Sequence, residues 1–354
     1  MYRNIENGQN LSNPNSDRTK ETPPPSNPRE HRSLLNRQKA KFFSVALSLG
    51  LINNNPKSNL IKSYWSTYHC NKVVHIGEEG LTSERCKQRW CTVCSRIKTG
   101  EQIAQYMPAL SALENPQFMT LTAETVDQRM LPHRLDEMGK IFRKILDRYS
   151  NRGLFKGMRK LECTYNPKTD SYHPHYHVII DGVHNAYKFR QQWIEYHKGK
   201  ARVQANDIRK ANQSSLRELC KYATKLSVSM NDNEFHPQAL DTIFSALKGR
   251  RLTQPFGGIK ISSIKAVRAE HIDEIQANLE CDVEDFGHYR WFQDNANWVS
   301  DNGRELSLFE IEEKLKNSCK KFGSFLTHFW LNFWREKWTF INSVVLYYQD
   351  SMQN

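Results

Sequence analysis

His173-Pro174-His175-Tyr176-His177-Val178-Ile179-Ile180 sets histidine against a mostly apolar residue at every other position. In an extended strand, successive side chains turn to opposite faces. The pattern therefore predicts a strand with His173, His175 and His177 on one face and Tyr176, Val178 and Ile180 in a core. Imidazole nitrogens gathered in this way suit a divalent metal.

Upstream, Lys160-Leu161-Glu162-Cys163-Thr164-Tyr165 also alternates, and the turn formers Asn166-Pro167-Lys168-Thr169-Asp170 separate the two runs. The pair reads as a β-hairpin. Glu162 falls on the face opposite Leu161 and Cys163, beside the imidazoles, where it is a candidate carboxylate ligand. Histidines with a carboxylate and open positions suit Mg²⁺ or Mn²⁺ acting on phosphate oxygens.

Further on, Ser215 to Leu226 reads as a helix with Leu216, Leu219, Cys220, Ala223 and Leu226 on an apolar stripe. Glu218, Tyr222 and Lys225 share another face. A tyrosine hydroxyl beside a bound metal can attack a phosphodiester and keep the product covalently. With an ordinary pKa of about 10, it needs a base or a cation for activation. Glu218 is a candidate base, and Lys225 a candidate cation.

Phe118-Met119-Thr120-Leu121-Thr122, the histidine strand and Glu218-x-x-Lys221-Tyr222-x-x-Lys225 occur in that order. Together they resemble the three motifs of the HUH endonucleases, in the branch of single-tyrosine initiators of rolling-circle plasmid replication. Cys86-Lys87-Gln88-Arg89-Trp90-Cys91-Thr92-Val93-Cys94-Ser95 is similar to a cysteine motif of the same family, with Thr92 where proline is usual. The likeness extends from about Cys86 to about Lys260, where it includes Gly257-Gly258.

The resemblance implies that His175 and His177 hold the metal, with Glu162 or His173 as a third ligand. It implies that Tyr222 is the nucleophile that becomes linked to the 5′ phosphate of nicked origin DNA, double-stranded but locally single-stranded. Glu218 would activate water for the terminating cleavage. The freed 3′-OH would prime a host polymerase, with a host helicase as a further partner. The closest alternatives are a relaxase or single-strand transposase using the same chemistry, and a non-catalytic zinc-containing DNA-binding regulator.

The 354 residues carry 51 Lys+Arg against 38 Asp+Glu, a formal net charge of +13. That excess fits a phosphate-backbone partner and salt-sensitive binding. No stretch reads as a signal peptide or a membrane span, so a cytoplasmic protein without a membrane partner is expected. Cysteine usage then favours metal or free thiols over disulfides. Cys70, Cys86, Cys91 and Cys94 are candidate ligands of a structural zinc, with His69 and His75 as alternatives for the fourth position.

The expected fold class is α+β, with a ferredoxin-like antiparallel or mixed sheet and helices on one side, in the order β-α-β-β-α-β. Residues 1–30 read as a disordered tail, 31–64 as a basic segment and 65–100 as a cysteine module. Residues 101–264 form the nuclease domain, and 265–354 a C-terminal extension rich in aromatic residues. Tyr289, Trp291, Phe292 and Trp298 are expected in a core, with stacking on unpaired bases as the alternative. Arg250 and Arg251 are candidates for clamping a phosphate.

Overall fold

The computed structural model describes residues 28–77, 80–149, 153–220, 236–259, 287–292 and 296–306. The elements are α1 (Pro28–Asn54), α2 (Ile61–His69), β1 (Val73–Gly77), β2 (Gly80–Ser83), α3 (Thr92–Ser111), β3 (Pro116–Thr122), α4 (Leu131–Tyr149), β4 (Gly157–Asn166), β5 (Ser171–Asp181) and α5 (Val183–Tyr196). They continue with β6 (Ile208–Lys210), α6 (Gln213–Cys220), α7 (Pro237–Leu247), β7 (Thr253–Phe256), β8 (Gly287–Phe292) and β9 (Asn297–Ser300). The tail at 1–27, the aromatic run after 306, Tyr222 and Lys225 lie outside the described residues.

The chain is α+β, as expected. Its larger sheet has the order β6-β3-β5-β4-β7, and every pairing is antiparallel. The run β3-α4-β4-β5-α5-β6 supplies the β-α-β-β-α-β core, and β7 extends it along β4. Between α5 and α6, Val203–Ala205 is a 3-10 turn, and strand pairing begins at Ile208.

The two faces of this sheet differ because the side chains alternate. On one face Met119, Leu121, Leu161, Tyr176, Val178 and Ile180 join the main core with α4, α5 and α7. α4 meets that face with Leu131, Leu135, Met138, Phe142 and Ile145, a helical stripe that is buried along its length. Trp193 of α5 is fully buried, and its indole donates to the carbonyl of Thr122 at 2.9 Å, which fixes the end of β3. Trp193→Ala should cost about 3–5 kcal/mol.

Among the described residues, the other face is covered at one end. There α3 and α6 pack Leu110, Leu113, Leu216 and Leu219 on Phe118, Met158 and Ile179. Helices therefore flank both sides of the sheet, and the second pair stops short of the polar positions that follow Ile179 backwards along β5.

The turn between β4 and β5 is closed by Asn166, whose side chain accepts from the backbone of Lys168 at 3.0 Å. Gly257 closes the end of β7 with φ +68°. A Cβ there would lie 1.9 Å from the carbonyl oxygen of Phe155, so the turn requires glycine.

A second sheet has the order β2-β1-β8-β9. It joins the cysteine module to residues beyond 265, since β1 pairs with β8. Tyr289, Trp291 and Trp298 are in its core as expected, and the Trp298 indole donates to the carbonyl of Asn71 at 2.9 Å. Phe292, expected with them, alternates to the other face of β8 and is exposed.

Candidate metal centre and nicking site

The hairpin register sets Glu162 opposite His175 and Lys160 opposite His177, while Thr120 of β3 faces His177 from the other side. These residues share the sheet face on which α3 and α6 pack. Glu162 and His175 are buried and His177 is half-buried.

Glu162 Oε2 lies 3.6 Å from His175 Nε2 and 3.4 Å from His177 Nε2. Both Glu162 Oε2 and His177 Nε2 are buried without a hydrogen-bond partner. Two ligand atoms at about 2.1 Å from one ion stand about 3.0 Å apart at a right angle and about 3.4 Å apart at the tetrahedral angle. The spacing and the missing partners thus fit a shared divalent cation.

The proton positions agree. His175 Nδ1 is 3.0 Å from the carbonyl oxygen of His173, which can only accept, so Nδ1 carries the proton and Nε2 offers a lone pair. His177 Nδ1 similarly faces Thr120 Oγ1 at 3.4 Å.

His173 lies outside this group. Its Nε2 hydrogen-bonds Thr122 Oγ1, and its ring stacks on His175 with centroids 5.2 Å apart. Of the two candidates for third ligand, the structure brings Glu162 to the histidine pair and leaves His173 beside it.

Burial pushes the Glu162 carboxyl up, but His175, His177 and Lys160 together pull it further the other way, well below the ordinary carboxylate range. Lys160 is the residue that sequence reasoning missed. Its Nζ lies 2.5 Å from Glu162 Oε1 and donates to the backbone carbonyl of Glu218 at 3.3 Å. The available signal was its period-two spacing from Glu162. A lysine beside a candidate ligand reads as solvent-facing until the register buries it.

Glu218 is half-buried on α6, the helix whose last described residue is Cys220. The Lys160 contact ties this helix to the metal-ligating strand. Arg250 is occupied by the fold: it donates to Asp136 at 2.5 Å and to the carbonyls of Ala246 and Pro132. Arg251 is exposed.

Cys70, Cys86, Cys91 and Cys94 converge between α2 and the start of α3. Sulfur separations are 3.6 Å for Cys70–Cys94 and 3.8 Å for Cys86–Cys94. These are far from a disulfide bond, and close to the roughly 3.8 Å edge of a tetrahedron with metal–sulfur bonds of about 2.3 Å. Cys91 caps α3, accepting from the amide of Cys94 at 3.5 Å. Asn71 and the amide of Cys86 donate to Cys70, and Ser44 donates to Cys91. Donors of this kind stabilise thiolates that ligate a metal. His69 instead stacks on Trp65, and His75 pairs with His288 across the second sheet.

Residues 81–297 match the family model described as Replication protein. This chain belongs to that family. The resemblance drawn from the motifs is borne out at that level.

It is 31% identical over 159 residues to "Protein rep" of Staphylococcus aureus, covering 40% of this chain and 69% of the relative. To "Protein rep" of a Bacillus species it is 30% identical over 207 residues, covering 47% and 66%. To "Protein rep" of Lentilactobacillus hilgardii it is 25% identical over 288 residues, covering 72% and 87%. The chain thus spans about two thirds of the length of the first two relatives. No solved structure matches it. Among the described residues no helix is long and apolar enough to cross a membrane.

Proposed function

We propose that this chain initiates rolling-circle replication of a plasmid by nicking one strand at the origin. The observation that carries the reading is the trio of facing ligand atoms on Glu162, His175 and His177, buried on one face of the larger sheet. Glu162, His175 and His177 would hold Mg²⁺ or Mn²⁺. When bound, such an ion supplies Lewis-acid polarisation of a phosphate oxygen.

The chain's own residues do the rest. His173 and Thr120 orient the ligating imidazoles through their Nδ1 atoms. Lys160 holds the Glu162 carboxylate and anchors the helix that leads to Tyr222. The Tyr222 hydroxyl attacks the scissile phosphorus, and its proton passes through solvent to the departing 3′ oxygen. The bond from phosphorus to the 3′ oxygen breaks, and that oxygen leaves as a 3′-OH. The 5′ end stays on the tyrosine. Glu218 takes a proton from water in the terminating cleavage, and Lys225 offsets charge on the phenolate. Host polymerase extends the 3′-OH, with a host helicase opening the duplex. Cys70, Cys86, Cys91 and Cys94 would hold a structural zinc.

Supercoiled DNA carrying the cognate origin, incubated with Mn²⁺, tests this. The wild-type chain should give nicked circles with covalently attached protein. Tyr222→Phe should bind but leave no adduct, and an adduct that persists in this variant refutes the assignment.

A further inference from the structure

A cleft of about 480 Å³ opens between α2, the loop before Cys91 and the turn after α7. Lys62, Lys87 and Lys248 line it, and among the described residues no carboxylate does. Lys62 and Ser63 belong to the first turn of α2, the end of a helix that favours anions. Lys87 is held at φ +56°, a backbone region that a lysine rarely occupies.

Two lining residues carry hydrogen-bonding atoms that are buried without a partner: the indole nitrogen of Trp90 and Ser63 Oγ. Trp90 is 5% exposed, and its ring is fixed between Tyr64 and Phe244 at centroid distances of 5.7 and 5.1 Å. Indole N–H can only donate, and a hydroxyl can donate as well. Donors without acceptors, on residues of a cleft that three lysines also line, suit an anion with several acceptor oxygens. Arg89, whose guanidinium donates to the carbonyl of Leu247 at 2.8 Å, fixes the α7 side of the cleft. None of these residues belongs to the group at Glu162, His175 and His177.

We propose that this cleft is a phosphate-binding site that holds a phosphodiester of duplex DNA, separate from the nicking centre. The identification of the phosphate with DNA rests on the function proposed above. The phosphate chemistry rests on the cleft alone. Backbone contacts of this kind position a protein on the duplex without reading its sequence.

The test uses the full chain and a mixed-sequence 24-base-pair duplex, with affinity measured against salt concentration. The double variant Lys62→Gln/Lys248→Gln should bind about tenfold more weakly near 100 mM salt. Its log–log salt slope should be shallower by roughly one to two units, as expected for one or two lost phosphate contacts. Trp90→Phe, which keeps the ring stack, should weaken binding less but identify the indole N–H resonance, and duplex should shift that resonance in the wild-type chain. Cleavage of a single-stranded origin oligonucleotide should be unchanged in the lysine variant.

Unaltered affinity and slope overturn the site. An indole resonance that answers inorganic phosphate or dATP but ignores duplex overturns the DNA assignment. If the wild-type chain cleaves no oligonucleotide, the nicking proposal fails, while the salt slopes still decide the cleft.

Discussion

Lys160 and Glu162 form a buried ion pair on adjacent same-face positions of β4, Nζ to Oε1 2.5 Å, with side-chain exposures of 4% and 7%. Three further polar groups share the pair: Glu162 Oε2 faces the two imidazoles, and Nζ reaches the carbonyl of Glu218. Breaking a buried pair costs more than the pair itself contributes, because the remaining charge stays desolvated.

Lys160→Met keeps the length of the side chain and removes its charge. In chelator, the variant should lose about 3–5 kcal/mol in urea unfolding. Saturating Mn²⁺ should recover more stability in the variant than in the wild type, because a bound cation replaces the missing positive charge beside Glu162. Equal stability in chelator would mean that the pair is not compensating buried charge.

Acid stability gives a second test through His173. Burial first, and the neighbouring His175 second, pull its pKa down to about 4 from an ordinary 6.5. The folded state therefore favours the neutral ring, while the unfolded chain takes up a proton below about 6.5. The contribution of His173 to stability is fully present above 6.5 and is lost as pH falls from there toward 4. In chelator, His173→Gln should lose less stability than the wild type between pH 7.5 and 5.0. Parallel losses in urea midpoint would contradict this.

The cysteine cluster predicts its own stoichiometry. Purified chain should carry one zinc ion, detectable by elemental analysis and released by thiol modification. Cys94→Ser should abolish retention and lower Tm by about 10 °C. A chain that purifies without zinc and melts like the variant would leave these thiols without a metal role.

Much of the larger sheet was legible in the chain. Period-two alternation through Leu161 and Tyr176, and the Asn166–Asp170 turn, fix the hairpin register, and that register places Glu162 opposite His175. The stripe from Leu135 to Tyr149 marks α4 equally well. The second sheet was not legible. β1 and β8 are about two hundred residues apart, short and mixed in polarity, and nothing local links Val74 to Tyr289. Lys160 was missed for a related reason: its burial is set by α6 packing over the sheet, a tertiary fact with no local trace. Arg250 looked free for phosphate because its acceptor, Asp136, lies far away in sequence. The expected convergence of Tyr222 on the histidine pair concerns a residue outside the described part of the chain.

Mn²⁺ binding to Glu162→Gln, His175→Ala and His177→Ala, measured together with cleavage of an origin oligonucleotide, tests the central claim most directly. Each variant should lose at least tenfold in Mn²⁺ affinity and at least a hundredfold in cleavage, while the zinc content and fold of the chain remain intact. Retention of both wild-type Mn²⁺ affinity and wild-type cleavage in these variants would contradict the account.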